Sequence, residues 1–425
     1  MSAIPSHDTE ATLLHFRRQF AERPNDASAR MRFGNALAEA GYLQEAIVHL
    51  RAALQMEPAN VLAYFNLGQA LQRLNELEPA YQLYEQGGRL APQEARSYLL
   101  RGNARFLQSR FQEALELFQA ALARDPAWAE AWNNLGNVYA RLNNDEQAEA
   151  SYRRAHELAP TFAPILDNWA GMLRHAGRFK EAAELYQKLL KLDPAKPEAF
   201  RDLADCLLMQ RKFTAAVEFY KKCLELDPHQ NEVYLRLGKT LEEIGKRAQA
   251  LAVYKKAVEV DGGNSEALYQ WANLLSDSDR RQEALALYQR CVAINPQHAK
   301  AQHNLGAALF KLKRVEEALA AYRQALTLDP QDHLAHNNLG HALLVQSGVD
   351  AARPAFLKAL ELDPNYATAH YNLACIEAIS GHEQKAIAYL KEAIRLGPHF
   401  LQRAAEDSDL DNLRHKPAFC ALFKS

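Results

Sequence analysis

Asparagine recurs in this sequence at intervals of 34 residues or multiples of 34. One series is Asn66, Asn134, Asn168, Asn304, Asn338 and Asn372, and a second is Asn35, Asn103, Asn137 and Asn273. Asparagine costs roughly half a kcal/mol against alanine inside a helix, so its repetition needs a reason. A carboxamide donates and accepts hydrogen bonds, which suits a peptide main chain. The series therefore predicts a row of amides that holds an extended peptide. The alternative is that the amides bond a neighbouring helix.

Other combinations that could carry chemistry are weak. Gly238-Lys239-Thr240 resembles the end of a P-loop, but Val233 stands where the first glycine belongs and no strand precedes it. A histidine group late in the chain lacks the i,i+4 spacing of paired metal ligands; its members are His303, His336, His341 and His370. GxSxG and HExxH are absent from the sequence. We therefore expect no enzyme activity, no metal site and no cofactor.

Prolines reveal the elements that must position these side chains. Eleven of the 17 prolines share one 34-residue register, at residues 24, 58, 92, 126, 160, 194, 228, 296, 330, 364 and 398. Gly262 fills the single gap in that register. A fixed period of this length is the signature of a repeat array.

Numbering each repeat 1–34 with proline at position 32 divides the chain into a tail with a capping helix, eleven repeats and a C-terminal cap. The tail and capping helix are 1–26, the repeats are 27–60, 61–94, 95–128, 129–162, 163–196, 197–230, 231–264, 265–298, 299–332, 333–366 and 367–400, and the cap is 401–425. Each repeat reads as two amphipathic helices, and Ala129–Phe162 is the clearest copy.

Small residues at two positions predict where the paired helices cross. Position 8 is glycine or alanine and position 20 is alanine in all eleven repeats, whereas position 24 is mostly aromatic. Two helices approach closely only where the facing residues are small. Proline at position 32 ends the second helix. We therefore predict an all-α solenoid in which stacking buries the apolar face of each repeat.

The spacing W/Y-x2-L-G…A-x3-Y…P resembles the tetratricopeptide repeat (TPR) over residues 27–400. The resemblance implies a right-handed superhelix whose first helices line a concave groove with positions 2, 5, 6, 9, 12 and 13. NNLG at 133–136 and 337–340 is similar to the asparagine ladders in the TPR superhelix of O-linked N-acetylglucosamine transferases, here without a catalytic domain. The predicted groove residues are Asn35, Asn66, Asn103, Asn134, Asn137, Asn168, Asn304, Asn338, Asn372, Arg73, Arg96, Arg141 and Arg174.

Charge is uneven along this implied groove. Arginines make its first half basic, and Asp167, Asp202 and Asp205 follow as an acidic spot. We expect the first half to favour acidic partner segments, the alternative being solvated helix faces. A carboxylate clamp like that of chaperone-binding TPR proteins is disfavoured, because Met31 and Leu100 replace two of its cations.

Composition limits the class of partner. The formal net charge is −2, which argues against nucleic-acid or membrane-surface binding. Five cysteines without a CxxC pattern, together with the lack of a signal peptide or a membrane-spanning run, predict a cytoplasmic protein. We expect a non-enzymatic scaffold or adaptor that binds an extended segment of a partner protein. The alternatives are a recognition or targeting subunit of a separately encoded enzyme, for example a glycosyltransferase, a self-assembling scaffold (homo-oligomer), and a repeat-based RNA reader.

Overall fold

The computed structural model describes residues 7–278 and 280–423, with side chains from residue 11 onwards. Residues 1–6 of the predicted tail and 424–425 of the predicted cap lie outside the described residues. Every regular element in the described ranges is a helix, which confirms the prediction of an all-α fold. None of the described helices has the length and apolar character needed to cross a membrane.

The chain forms two compact parts, Met1–Ile244 and Gly245–Ser425, which we call the N-terminal and C-terminal parts. The N-terminal part contains α1 (His7–Glu22), α2 (Ala27–Glu39), α3 (Leu43–Met56), α4 (Val61–Arg73), α5 (Leu77–Leu90), α6 (Ala95–Leu107), α7 (Phe111–Arg124), α8 (Ala129–Arg141), α9 (Asp145–Leu158), α10 (Ala163–His175), α11 (Phe179–Leu192), α12 (Pro197–Met209), α13 (Phe213–Leu226) and α14 (Asn231–Glu243).

The C-terminal part continues the same alternation of a first and a second helix. It contains α15 (Arg247–Val260), α16 (Ser265–Asp277), α17 (Arg281–Ile294), α18 (Ala299–Lys311), α19 (Val315–Leu328), α20 (His333–Ser347), α21 (Val349–Leu362), α22 (Ala367–Ile379), α23 (Glu383–Leu396), α24 (His399–Glu406) and α25 (Pro417–Cys420). Two 3₁₀ segments, Ser408–Leu413 and Ala421–Phe423, flank α25.

Local chemistry sets the helix ends. Several first helices are capped by the residue before them, as where the side chain of Asp26 accepts hydrogen bonds from the Ser28 and Ala29 amides. In most repeats the turn between the two helices has a left-handed residue at position 15, and in repeat 10 Gly348 takes this role at position 16. Gly177 adopts it with φ 76°, and Asn143 does so with φ 57°. Glycine has no steric penalty there and asparagine only a small one.

Close contact inside each helix pair explains the small residues at positions 8 and 20. Ala148 is fully buried, as is the alanine at position 20 of each of the other repeats. A Cβ added at Gly136 would lie 2.7 Å from Cε1 of Tyr152, so a larger residue would displace the ring. The aromatic side chain at position 24 therefore packs directly over the position-8 backbone.

Second helices pack on the first helix of the following repeat, as α5 does on α6 and α7 does on α8. One apolar cluster consequently runs from Met31 to Val138 without interruption by repeat boundaries. The described part of α1 covers the N-terminal end, where Phe16 and Phe20 pack against the cluster of Phe33, Leu37 and Ala46. This continuity places the first helices side by side and so brings their periodic side chains together.

The C-terminal segment packs against repeat 11. Leu410 is fully buried and Leu413 is 3% exposed, and both join the apolar cluster that contains Tyr371 and Leu390. The 3₁₀ segment Ser408–Leu413 lies on α22, the first helix of that repeat. The last described residues therefore cover the end of the C-terminal part.

Candidate functional site

A cleft of about 810 Å³ lies along α8, α10 and α12 of the N-terminal part. Its lining residues are Phe106, Asn137, Ala140, Arg141, Asn143, Asp145, Tyr152, Asp167, Asn168, Gly171, Met172, Arg174, His175, Ala176, Tyr186 and Asp202. We call it the central cleft. Four predicted site residues, Asn137, Arg141, Asn168 and Arg174, line it together.

A smaller cavity of about 130 Å³, which we call the amide cavity, adjoins the central cleft. It is lined by Gln69, Gln72, Asn103, Phe106, Leu107, Phe118, Glu130, Asn134 and Asn137. Phe106 and Asn137 belong to both linings. Two further predicted residues, Asn103 and Asn134, therefore lie next to the central cleft.

The amides of repeats 3, 4 and 5 form a continuous hydrogen-bonded chain. Asn168 Nδ2 donates to Asn133 Oδ1 at 3.0 Å, and Asn133 Nδ2 lies 3.3 Å from Asn134 Oδ1. Asn134 Nδ2 donates in turn to Asn103 Oδ1 at 3.0 Å. Bonding to a neighbouring helix, the alternative considered from the sequence, is thus observed for several of these N–H groups. Asn134 uses both its Nδ2 and its Oδ1 within the stack.

Asn137 and Asn168 keep polar groups open towards the central cleft. The Oδ1 atom of Asn137 accepts the Tyr152 hydroxyl at 2.7 Å, and its Nδ2 has no partner among the described residues. The Nδ2 atom of Asn168 is used by Asn133, and its Oδ1 accepts no hydrogen bond from the described residues. The cleft therefore offers an amide donor from one repeat and an amide acceptor from the next.

Arg141 and Arg174 are the cations of the central cleft that were predicted from the sequence. Arg141 lies over the Phe111 ring, with Cζ 5.0 Å from its centroid. The Nε atom of Arg174 is buried without a hydrogen-bond partner. Neither guanidinium lies within 4.0 Å of a carboxylate of the described residues. Both side chains line the cleft, where Arg141 is exposed and Arg174 also interacts with the Tyr186 hydroxyl.

The acidic spot expected from Asp167, Asp202 and Asp205 is neutralised in the structure. Lys196 Nζ lies 2.6 Å from Asp167, Arg201 Nε lies 2.9 Å from Asp202, and an Arg236 Nη lies 2.5 Å from Asp205. Lys196 and Arg236 lie 29 and 31 residues from their partners, so the sequence pattern did not reveal those two pairs, whereas Arg201 is the direct neighbour of Asp202. The expectation of a free acidic patch is therefore wrong.

Glu130 is the titratable group of the amide cavity. Its Oε1 accepts a hydrogen bond from Gln69 Nε2 at 2.9 Å. Burial raises the pKa of Glu130 to about 7, against the opposing effects of Arg96 and the Gln69 hydrogen bond. The cavity therefore contains a carboxyl group that changes charge near neutral pH.

Tyrosine hydroxyls at position 24 form hydrogen bonds that the sequence analysis missed. The Tyr220 hydroxyl donates to Asp205 at 2.5 Å, and the Tyr288 hydroxyl donates to Asn273 at 2.6 Å. In both cases the residue at position 6 of the next repeat bonds the same side chain: Arg236 donates to the other oxygen of Asp205, and Asn304 Nδ2 lies 2.9 Å from Asn273 Oδ1. Repeats with tyrosine at position 24 and asparagine or aspartate at position 9 could have predicted these hydrogen bonds from the sequence.

The remaining predicted residues of the N-terminal part lie outside both cavities. Arg73 donates to the Ala38 carbonyl at 2.6 Å, and Arg96 lies over the Trp128 ring at 5.8 Å. Asn66 Nδ2 is buried without a partner, whereas Asn35 is half-buried on α2. These residues are therefore not gathered into one site with the central cleft.

The predicted amides of the C-terminal part bond the preceding repeat. Asn304 Nδ2 bonds Asn273, and Asn338 Nδ2 lies 2.9 Å from His303 Nε2. Asn372 is only 9% exposed, and its Nδ2 donates to Asn337 Oδ1 at 2.9 Å. These side chains thus contribute to the contacts between first helices.

One group of side chains in the described residues has the proximity required of metal ligands. Cys375, Asp407 and Asp409 each place a ligand atom within 4.8 Å of the others. Burial raises the pKa of Cys375 to about 12, which keeps the thiol protonated at neutral pH. Tyr371 already donates to Asp407 at 2.7 Å. The arrangement fits packing of the C-terminal segment, and all five cysteines are free.

Family models described as "TPR repeat" or "Tetratricopeptide repeat" match most of the chain. The former matches 34–75, 102–143 and 308–347. Models with the latter description match 61–94, 129–162, 173–231, 207–270, 265–298, 287–320 and 337–399. The search of the curated proteins found no match.

Similar solved structures include "MamA protein", at 30% identity over 40% of this chain and 94% of that chain, with a TM-score of 0.37. A second is YrrB, titled "a TPR protein with an unusual peptide-binding site", at 24% identity over 45% and 98% of the two chains, with a TM-score of 0.39. A third is the APC/C hetero-tetramer Cut9-Hcn1, at 16% identity over 94% and 93%, with a TM-score of 0.44.

Proposed function

Because the chain belongs to the tetratricopeptide repeat family, we propose that it is a non-enzymatic protein-interaction scaffold whose central cleft binds an extended segment of a partner protein. The observation that carries the proposal is the pair of open amide groups on Asn137 and Asn168. They belong to consecutive repeats and line the same cleft.

The open groups match the chemistry of a peptide main chain. Each peptide unit presents one N–H and one C=O. The Nδ2 atom of Asn137 supplies donors for a carbonyl, and Oδ1 of Asn168 supplies an acceptor for an N–H. Such contacts do not depend on the side chains of the bound segment, so they provide affinity while other residues of the cleft select the sequence.

Both amides are held in place before a ligand arrives. The Tyr152 hydroxyl fixes Asn137 from one side, and Asn133 fixes Asn168. A side chain that is already ordered loses less conformational entropy on binding. The amide chain within the stack therefore supports recognition by these two residues.

Random 12-residue peptides displayed on phage test the proposal on the full chain. Selected peptides are synthesised, and their affinities are measured by calorimetry for the wild type and for the double variant Asn137→Ala/Asn168→Ala. Loss of two hydrogen bonds predicts an affinity lower by about tenfold or more. A methyl group on one main-chain nitrogen of the peptide is expected to have a similar effect.

The double variant Asn304→Ala/Asn338→Ala is the matched control. It removes amides at position 6 of two repeats in the C-terminal part and should leave peptide affinity unchanged. Selection of no peptide above background would overturn the proposal. So would selected peptides whose affinity does not change in Asn137→Ala/Asn168→Ala.

A further inference from the structure

The carboxylates and the arginines of the central cleft differ in how many of them have an oppositely charged partner. Two of its carboxylates, Asp167 and Asp202, pair with Lys196 and Arg201, neither of which lines the cleft. The negative charge that faces the cleft is thus already compensated from outside it. Asp145 is the third carboxylate of the lining, and it lies at the first residue of α9, where the helix dipole favours a negative charge.

Neither cation of the same cleft forms an ion pair within 4.0 Å among the described residues, although, against the effect of burial, Asp202 and Asp205 lie near enough to raise the pKa of Arg174. Arg141 is exposed and rests on the Phe111 ring, which leaves its guanidinium edge open to hydrogen bonding. Arg174 keeps a buried Nε–H without a partner. That atom is itself out of reach of a ligand, but the half-buried Arg174 side chain lines the cleft and places its positive charge there. Together with the free Asn137 Nδ2, the lining is richer in donors than in acceptors.

We propose that Arg141 and Arg174 form an anion subsite that binds one acidic side chain of the partner segment. The inference rests on the proposed function, since the segment is held by the amides of Asn137 and Asn168. Arginine donates paired N–H groups that match the geometry of a carboxylate. The subsite adds a sequence requirement, an aspartate or glutamate, to main-chain binding that is otherwise tolerant of sequence.

A phosphorylated serine also presents anionic oxygens, with more charge than a carboxylate. The test therefore distinguishes an acidic side chain from a phosphorylated one. The probes are a phage-selected peptide and synthetic versions of it with glutamate, glutamine or phosphoserine at its acidic position. We expect glutamate to bind about tenfold or more tightly than glutamine, because charge-assisted hydrogen bonds are lost with the charge. If the phosphoserine peptide binds more tightly than the glutamate peptide, the ligand of the subsite is a phosphate and not a carboxylate, and the proposal is overturned.

Protein variants test whether the preference for glutamate over glutamine depends on Arg141 and Arg174. Arg141→Gln/Arg174→Gln should bring the glutamate and glutamine peptides to within about twofold of each other, because no cation is then left to distinguish them. Arg141→Lys keeps the charge and should preserve part of the preference, which a role limited to packing on Phe111 would not require. Arg153→Gln/Arg154→Gln removes the same number of charges from exposed sites on α9, with side chains 63% and 49% accessible, and serves as the control.

Two results would overturn the subsite and leave the proposed function intact. In one, peptides that depend on Asn137 and Asn168 carry no acidic residue at a constant position. In the other, the glutamate preference persists in Arg141→Gln/Arg174→Gln. Failure to select any peptide would instead contradict the proposed function itself.

Discussion

Repeat 5 of the N-terminal part and repeat 11 of the C-terminal part use the same register positions differently. At position 6, Asn168 lines the central cleft, whereas Asn372 is buried. At position 12, Arg174 offers an unpaired donor, whereas the carbonyl of Ala378 accepts Asn412 Nδ2 at 2.5 Å. The chain's own segment Ser408–Leu413 packs on the first helix of repeat 11.

The difference shows that repeat position alone does not define a binding residue. Asn168 and Asn372 have the same residue type, and both donate Nδ2 to an asparagine of the preceding repeat. What separates them is the neighbouring structure, open in one case and covered in the other. We therefore expect substitutions in repeat 11 to affect stability and those in the central cleft to affect binding.

Leu410→Ala should have the largest effect on stability. Leu410 is fully buried beneath repeat 11, and deletion of a buried leucine side chain typically costs about 2–5 kcal/mol. Thermal unfolding followed by circular dichroism should show an earlier transition, with peptide binding at 20 °C unchanged. Val345→Ala, at a side chain 60% exposed in the same part, is the control. Equal unfolding temperatures for the two variants would show that the segment does not stabilise repeat 11.

Ala148→Leu should destabilise the N-terminal part by about 1–3 kcal/mol, because it overpacks the crossing of α8 and α9. Ala148 is fully buried there. Chemical denaturation provides the measurement, and Ala123→Leu, on the exposed face of α7, provides the control. If both variants unfold at the wild-type denaturant concentration, the assignment of the helix crossing is incorrect.

Glu130→Gln tests whether the amide cavity holds a carboxyl group that ionises unfavourably. The folded-state pKa of about 7 lies above the ordinary value of 4.5. Between pH 4.5 and pH 7 Glu130 is therefore protonated in the folded state and ionised in the unfolded state. Wild-type stability should therefore fall relative to Glu130→Gln as pH rises from about 5 to about 7, and the difference should level off above that. A shift of this size corresponds to at most about 3 kcal/mol at pH 8, and partial exposure of Glu130 to solvent reduces it. A difference that is constant from pH 5 to pH 8 would contradict the raised pKa.

Tyr288→Phe should have the smallest effect, about 0.5–1.5 kcal/mol, because it removes one hydrogen bond to Asn273. Tyr322→Phe is matched to it: both tyrosines occupy position 24, are 2% exposed, and lie in the same part. The Tyr322 hydroxyl has no hydrogen-bond partner among the described residues. Denaturation curves should therefore separate the two variants, and coincident curves would assign no stabilising role to the hydroxyl contact.

The sequence predicted the features that depend on one repeat. Alanine at position 20, glycine at position 8 and the proline register specify the helix pair, because each acts through local close packing or backbone geometry. The same register also placed Asn137, Asn168, Arg141 and Arg174 near one another. The 34-residue period supplied the register, and the resemblance to the TPR family supplied the positions that face the groove.

Features that depend on two repeats escaped the sequence analysis. Asn133 joins the amide chain through Asn168, 35 residues later, and Asp205 is neutralised by Arg236, 31 residues later. These contacts depend on side-chain direction across the interface between repeats. Periodicity predicts where a residue lies in its repeat. It does not predict which of two neighbouring acceptors its side chain bonds.

Photo-crosslinking compares the two regions most directly. A benzoylphenylalanine is placed at His175 or at Ile379, which are exposed residues at position 13 of repeats 5 and 11. A phage-selected peptide is then added and irradiated. We predict a crosslinked product at residue 175 that disappears in Asn137→Ala/Asn168→Ala, and none at residue 379. Crosslinking at residue 379 but not at residue 175 would place the binding site in the C-terminal part and contradict the account.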